Sequence, residues 1–338
     1  MYNKERTTMY SDDDLASAVE AGVMTADTAD AFRAHVAGKK HMPAVDEEHF
    51  RLVTGFNDIF VVIACLLLLV SVGWIGATAA PWIGSALAAG TAWLLAEFFV
   101  RQRRMALPAI VLLLAFVGNS IAAVHAVLNG TVIGPMMAGA LAAGAAWLHW
   151  KRFRVPITVA AGMAVAVGGV VMLMWQQSPD VRHWVNLIAL GSGVIVFGLA
   201  MMWDAADPER KTRKSDVAFW LHLLAAPLLV HPVFAALNIF GWQISLMQAG
   251  AVIALYVGIG LVSLAIDRRA LMVSALGYVL YAFSSLLKLY GVVSLGFAIT
   301  ALAIGSALLL LSAFWHPCRA YVLNYCPAAL RRHLAPVR

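Results

Sequence analysis

The sequence predicts an all-α protein: a polytopic transmembrane bundle of about ten helices with both termini in the cytoplasm and a small N-terminal helical hairpin. Three observations predict this class. Of the 338 residues, 62% are hydrophobic and 12% are charged, whereas a soluble domain averages about 45–50% apolar and about 25% charged residues. Apolar runs of about 20 residues, the length that crosses a bilayer, recur along the chain. Lys and Arg cluster between alternate runs, as they do on the cytoplasmic side of membrane proteins.

Charge divides the chain into three parts. Residues 1–56 form an acidic cytoplasmic hairpin with a linker, residues 57–315 form the transmembrane bundle, and residues 316–338 form a basic cytoplasmic or interfacial tail. The first part carries six Lys/Arg and ten Asp/Glu, and the remainder carries eighteen and eight. Because the positive residues lie in short clusters beside apolar runs, membrane orientation accounts for them, and we expect no nucleic-acid partner.

The hairpin is predicted from its capping residues. Ser11 caps a first helix, Gly22 ends it, and Thr25 caps a second helix. Two short helices bury little apolar surface by themselves. We therefore expect the hairpin to pack weakly on itself, to dock on the basic loops, or to bind a protein partner, and its acidic charge favours docking on the loops.

Ten apolar runs predict the spans and their orientation. They lie near residues 57–77, 81–100, 105–128, 131–150, 155–175, 183–203, 217–238, 244–266, 270–290 and 293–315. Sixteen of the eighteen Lys and Arg residues after residue 56 fall on one side of this arrangement, and Arg182 and Lys288 fall on the other. Since Lys and Arg beside spans are retained in the cytoplasm, we expect both termini inside.

The eighth and ninth spans carry polar stripes. Polar residues three or four positions apart share one helix face, and polar side chains inside a membrane are costly enough to be functional candidates. These stripes line either a solvated path or a packed seam whose hydroxyl groups bond across helices. The predicted path-lining residues, including two from the seventh span, are His231, Asn238, Tyr256, Ser263, Tyr278, Tyr281, Ser285 and Lys288.

The seventh span contains two prolines. Pro227 and Pro232 each remove a backbone donor, so we expect a kinked or locally broken helix, the kind of element at which many transporters bind substrate. His231 either titrates or bonds a freed carbonyl group. Weaker candidates are Asn119, His222 and Glu97. His149 and Asp204 lie near span ends, where we expect them to face solvent or headgroups.

Enzyme signatures are absent from the sequence. It contains no His-Glu-x-x-His, no Gly-x-Ser-x-Gly and no glycine-rich phosphate loop followed by Lys-Ser/Thr. The three cysteines have no metal-ligand spacing and are expected to be free thiols. We therefore assign no catalytic residue, metal site or cofactor, and we disfavour an enzyme.

Three stretches carry a resemblance to known proteins. They are Glu20-Ala21-Gly22-Val23-Met24-Thr25, Asp46-Glu47-Glu48-His49-Phe50-Arg51-Leu52-Val53-Thr54-Gly55-Phe56-Asn57-Asp58-Ile59-Phe60, and Asp267-Arg268-Arg269-Ala270-Leu271 with Ser274-Ala275-Leu276-Gly277-Tyr278. Together they resemble an uncharacterised family of proteobacterial multi-pass inner-membrane proteins with an N-terminal helical hairpin. This resemblance implies a bacterial inner membrane and transfers no activity. The ten-span layout with short outer loops also looks like the drug and metabolite exporter superfamily, by topology alone.

The sequence leaves two functions open. The first is a permease for a small molecule or an ion, with the path between the seventh, eighth and ninth spans. The alternative is a non-transporting scaffold or regulator that acts through the hairpin on a protein partner. Both place the chain in the lipid bilayer.

Overall fold

The structure, a computed structural model, describes residues 12–39, 56–131, 133–177, 181–208, 210, 212–237, 245–289, 296–327, 331 and 334–335. Their regular structure is helical, and no β-strand occurs within these ranges. The predicted all-α class is therefore confirmed. The chain divides into two compact units, Met1–Phe50 and Arg51–Arg338.

The first unit contains a helical hairpin. Helix α1 is Asp12–Glu20 and helix α2 is Ala26–Lys39. Between them Gly22 adopts a φ of +71°, a left-handed conformation that glycine takes without a steric penalty. Thr25 caps α2, because its Oγ1 accepts a hydrogen bond of 3.2 Å from the backbone N–H of Thr28.

The second unit consists of helices at all ten predicted positions, followed by one short helix. They are α3 Phe56–Ala77, α4 Pro81–Ala96, α5 Ala106–Leu128, α6 Gly134–Phe153, α7 Ile157–Gln177, α8 Val181–Ala205, α9 Arg213–Ala236, α10 Leu246–Ile266, α11 Ala270–Leu289, α12 Gly296–Ala313 and α13 Trp315–Tyr325. A π-helical segment, Glu97–Gln102, continues α4.

The predicted number of spans is wrong. Within the described residues, seven helices are long and apolar enough to cross a membrane, and an eighth is added if α12 and α13 form one bent span. The seven lie in α3, α4 with its π-helical continuation, α5, α7, α8, α9 and α10. The chain is thus a multi-pass membrane protein, and its described residues contain seven or eight candidate spans rather than the predicted ten.

Composition explains the difference at α6. Helix α6 is rich in Gly and Ala and ends with His149, Lys151 and Arg152, so its mean hydropathy stays low. Its alanines pack against neighbouring helices instead, with Ala142 fully buried. Helix α11 as a whole is Ala270–Leu289, 20 residues, and the stretch Ala270–Ser285 is apolar among the described residues, so neither its length nor its composition sets it apart from a span.

Exposed apolar side chains cover the outside of the bundle. On α3, Phe60, Leu67 and Trp74 are 65%, 66% and 77% exposed. A water-soluble protein rarely presents so continuous an apolar surface. In a bilayer, lipid chains cover such a surface, and this pattern agrees with the membrane assignment.

Helix α9 lies at the centre of the bundle. Half of its apolar window is buried inside the protein, against 17–33% for the other six spans. It packs against α7, α8 and α11. The helix runs without interruption through Pro227 and Pro232, so of the two predicted alternatives, a kink or a local break, the break is absent and the kink stays a prediction. A sharp bend occurs elsewhere, between α12 and α13, whose axes differ by 77°.

Candidate functional site

A cluster of buried charged side chains joins α8, α9, α13 and the turn between α10 and α11. We call it the buried charge cluster; it consists of Asp204, Arg210, His222, Asp267, Arg268 and Arg319. Each of these side chains is at most 11% exposed. Buried ionic groups are costly unless they are paired and hydrogen-bonded, so their contacts decide what the cluster can do.

Asp204 lies at the centre of one half of the cluster. Its Oδ1 binds Nη2 of Arg268 at 2.5 Å, and its Oδ2 lies 2.9 Å from Nε2 of His222. Arg268 also donates to the backbone oxygen and the hydroxyl group of Ser215, at 3.3 and 3.2 Å. One carboxylate therefore links α8, α9 and the turn between α10 and α11.

Asp267 holds the second half together. Its Oδ2 accepts a hydrogen bond of 3.0 Å from Nη1 of Arg210, and its Oδ1 accepts one of 2.8 Å from the indole N–H of Trp315. Nε of Arg319 lies 3.5 Å from the same Oδ1. Helix α13 is thus tied to the α10–α11 turn through a carboxylate that is 4% exposed.

Local backbone geometry presents these carboxylates and guanidinium groups. Asp267 adopts a φ of +61° and ends α10, and aspartate tolerates this left-handed conformation better than most residues. In the loop after α8, Asp207 accepts hydrogen bonds from the backbone and the hydroxyl group of Thr212, which caps α9. Burial and the nearby charge of Arg268 lower the pKa of Arg210, and Asp267 opposes this shift.

His222 is the titratable member of the cluster inside an apolar helix. Its side chain is fully buried, and its ring meets Phe197 edge-on with centroids 5.3 Å apart. Nδ1 makes no hydrogen bond within the described part of the chain. A neutral imidazole that donates from Nε2 to Asp204 satisfies one nitrogen and leaves the other as an acceptor for a proton.

The predicted path-lining residues occupy different environments. His231 Nδ1 lies 2.5 Å from the hydroxyl oxygen of Tyr278, so α9 and α11 are hydrogen-bonded within the apolar region. Tyr278 also stacks on Phe234, with ring centroids 4.7 Å apart. On α10, the hydroxyl oxygens of Tyr256 and Ser263 are buried and make no hydrogen bond among the described residues.

Of the other four members of the predicted path, two are described and two are not. Tyr281 is 40% exposed and Ser285 is half-buried. Asn238 lies outside the described residues, as does the side chain of Lys288. That these residues line a path through the membrane stays a prediction.

The three weaker candidates have defined partners. His222 belongs to the buried charge cluster. Nδ2 of Asn119 donates a hydrogen bond of 2.8 Å to the carbonyl oxygen of Ala115 in its own helix. Glu97 accepts two hydrogen bonds from Arg152, at 2.6 and 3.0 Å, on a partly exposed surface.

Two residues that we expected to face solvent or headgroups are buried. Asp204 anchors the cluster, and His149 is fully buried among aromatic rings, with Phe153 4.6 Å away between centroids. Its Nδ1 lies 3.3 Å from the hydroxyl oxygen of Thr158. Proximity to a span end predicts exposure only where no neighbouring helix covers that end, which sequence position does not reveal.

The sequence did not identify Arg210, Arg268 and Arg319 as site residues, because their charges were used only to predict the orientation of the spans. One signal was available: acidic residues are scarce after residue 56, and Asp204 and Asp267 both lie at span ends on the predicted cytoplasmic side. Acidic and basic residues that share one end of a bundle are candidates for ion pairs, although the pattern does not specify which pairs form.

Comparisons with known proteins add no family. No protein-family model, no curated protein and no solved structure matches the chain. Within the described residues, no group of three or more His, Cys, Asp or Glu side chains is arranged to hold a metal ion. The candidate site is therefore assigned from its own geometry.

Proposed function

We propose that this membrane protein is an ion permease that carries protons, and that the buried charge cluster forms a gate at one end of its path. The observation that carries the proposal is the contact between His222 and Asp204, because ionisable side chains are rare among apolar helices and often belong to proton or ion pathways. Arg268 shares the same carboxylate. This proposal also requires a path, for which the stripe on α10 and α11 stays the candidate.

Protonation of Asp204 changes the ion pairs of the buried charge cluster. While Asp204 is ionised, it holds both Arg268 and His222. When Nδ1 of His222 takes up a proton and Nε2 passes its own proton to Asp204, the imidazole stays neutral and the carboxyl group loses the charge that binds Arg268. The turn between α10 and α11 then loses its ion pair with α8. A local charge change that releases one packed element is how a proton can bias two conformations.

A second polar contact lies deeper along the same helix. His231 is nine residues beyond His222 in α9, which corresponds to about 14 Å along the axis. Its hydrogen bond to Tyr278 reaches α11, the helix that begins directly after the turn that carries Asp267 and Arg268. Two histidines at different depths supply the separated, titratable positions that proton transfer across a membrane requires.

Proton flux tests the proposal. The purified chain is reconstituted in liposomes that contain a pH-sensitive dye, and the external pH is then raised in one step so that protons are driven out of the liposomes. We expect faster equilibration than in protein-free liposomes, and Asp204→Asn abolishes the difference. Glu97→Gln is the matched control, because it also removes a carboxylate bound to arginine but lies outside the cluster. Flux at the protein-free rate, or equal flux from both variants, contradicts the proposal.

The second candidate function is a scaffold that acts through the hairpin. It is favoured by the separate compact unit over Met1–Phe50, in which Val23 and Phe32 are 78% and 42% exposed. Ala29 is the one described side chain of this unit that is buried. Under this alternative, deletion of residues 1–45 reproduces the phenotype of a complete gene deletion, whereas Asp204→Asn is silent.

We also propose that the chain resides in a bacterial inner membrane with both termini in the cytoplasm. The sequence resemblance supports the bacterial inner membrane. The asymmetry of Lys and Arg supports both termini inside when all ten helices α3–α12 cross the bilayer; with α6 and α11 left out, the clusters at 151–154, 210–214 and 268–269 lie opposite the cluster at 101–104. An even number of eight spans is compatible with it, whereas seven is not. Reporter fusions after residues 55 and 338 test it, and opposite locations for the two reporters contradict it.

A further inference from the structure

The chain folds back onto α13 after this helix ends. Past Pro327, the structure describes Arg331, Leu334 and Ala335. Nη2 of Arg331 donates hydrogen bonds to backbone oxygens at the end of α13, and the shortest of them, 2.7 Å, is made to Leu323. The last carbonyl groups of a helix have no partner within it, so a basic side chain that binds them holds the returning chain beside the helix end.

Leu334 joins the returning chain to the core of the bundle. It is 7% exposed and belongs to one hydrophobic cluster with Leu323, Ile266 and Leu271. Ile266 ends α10, and Leu271 lies in the first turn of α11. Because burial of an apolar side chain is favourable, Leu334 attaches the returning chain to the cluster that surrounds the turn between α10 and α11.

Arg319 connects the returning chain to the buried charge cluster. Its Nη2 donates a hydrogen bond of 2.6 Å to the backbone oxygen of Ala335, and its Nε lies 3.5 Å from Oδ1 of Asp267. The side chain is 3% exposed, and a buried donor that loses its acceptor carries a desolvation cost. The carbonyl group of Ala335 therefore helps to hold this guanidinium group at Asp267.

We infer that Arg331, Leu334 and Ala335 form a clasp that keeps α13 against the turn between α10 and α11, and that release of this clasp opens the gate. The inference rests on the proposed function, since it names what controls the same cluster. Once the oxygen of Ala335 leaves, Nη2 of Arg319 requires water or another acceptor. Water that reaches Arg319 also reaches Asp267, and the higher local dielectric weakens the ion pairs of that carboxylate.

Thiol labelling of the full chain in detergent tests the clasp without reference to transport. Cys318 is half-buried, directly precedes Arg319 in α13, and packs against the hydrophobic cluster that contains Trp315. Its rate of reaction with a maleimide therefore reports how often α13 leaves that cluster. Cys65 is buried on α3 and serves as the internal reference for unfolding of the bundle as a whole.

Two variants release the clasp without altering a residue of the buried charge cluster. Arg331→Gln removes the contacts with α13 from an exposed position, and Leu334→Ala removes buried apolar surface. Since one hydrogen bond changes an equilibrium by about two- to tenfold, we expect Arg331→Gln to accelerate labelling of Cys318 by about this factor. Leu334→Ala is expected to accelerate it at least as much, and both variants leave the labelling of Cys65 unchanged.

Arg103→Gln is the matched control, because Arg103 is also an exposed arginine at a helix end but makes none of the contacts of the clasp. We expect it to leave the labelling of Cys318 unchanged. Unaltered labelling of Cys318 in both clasp variants, or an equal acceleration from Arg103→Gln, overturns the inference.

Proton flux in the liposome assay separates this inference from the proposed function. We expect Arg331→Gln to equilibrate pH about two- to tenfold faster than the unaltered protein. If the unaltered protein carries protons and the clasp variants carry them no faster, the clasp does not control the gate and the proposed function stands. If the unaltered protein carries no protons although the variants expose Cys318, the proposed function is contradicted and the clasp stands as a conformational element.

Discussion

Replacement of Asp204 by alanine tests the buried charge cluster most directly, because this carboxylate contacts both His222 and Arg268. In the variant, Arg268 stays 2% exposed and loses its ionic partner, while His222 stays fully buried without an acceptor for Nε2. Removing one member of a buried ion pair costs about 3–5 kcal/mol, because the remaining charge stays desolvated. We expect a loss of unfolding free energy in this range.

Reversible denaturation in mixed micelles, followed by tryptophan fluorescence, measures this loss. The matched control is Glu97→Ala, which breaks an ion pair of 2.6 Å with Arg152 in the same unit; the carboxylate of this pair is 26% exposed and its guanidinium group 40%. Exposed pairs contribute at most about 1 kcal/mol. The double replacement Asp204→Leu with Arg268→Met removes both charges, and we expect it to be more stable than Asp204→Ala. Equal losses from Asp204→Ala and Glu97→Ala would show that the cluster is hydrated and would refute the reasoning.

Three further outcomes are expected. A Cβ at Gly84 would overlap a backbone carbonyl oxygen of α3, whereas one at Gly90 meets nothing within 4 Å. Thermal unfolding in detergent should therefore show that Gly84→Ala lowers the free energy of unfolding by about 1–3 kcal/mol and that Gly90→Ala leaves it almost unchanged. Equal effects of the two replacements would contradict this packing. His231→Phe and Tyr278→Phe each remove the same hydrogen bond, so each should lower the free energy of unfolding by about 0.5–1.5 kcal/mol. The double variant should lose less than the sum of the two single losses, and additive losses would contradict the contact. Glu97→Gln affects a partly exposed ion pair and should change stability by no more than about 1 kcal/mol in the same denaturation assay, and a larger loss would indicate a buried pair.

The positions of the helices followed from the sequence because hydropathy is a local property. A run of about 20 apolar residues forms a helix in lipid whatever it packs against, since its backbone groups have no other partners there. The run predicted at 57–77 corresponds to Phe56–Ala77, and the run at 244–266 corresponds to Leu246–Ile266. Hairpin capping by Thr25 and the stop at Gly22 are equally local.

Other expectations failed where a local pattern depends on its neighbours. The prolines of α9 predicted a kink or a local break. The break is absent, because this central helix continues through both prolines, with Pro232 and Phe234 buried against the helices around it. The count of ten spans treated α6 like the others, although its small residues serve packing between helices and contribute little hydropathy.

The pairing of charges was decided by tertiary structure alone. His222 and Asp204 are 18 residues apart, and Arg268 and Asp204 are 64 residues apart. No periodicity along the chain relates such positions, because the distance between them is set by how α8, α9 and the α10–α11 turn pack. The sequence by itself determined that these residues lie at helix ends or on helices within a membrane. Only the fold determined that one carboxylate is shared between a histidine and an arginine, because an ion pair depends on distances of about 3 Å that side-chain packing, and not sequence order, establishes.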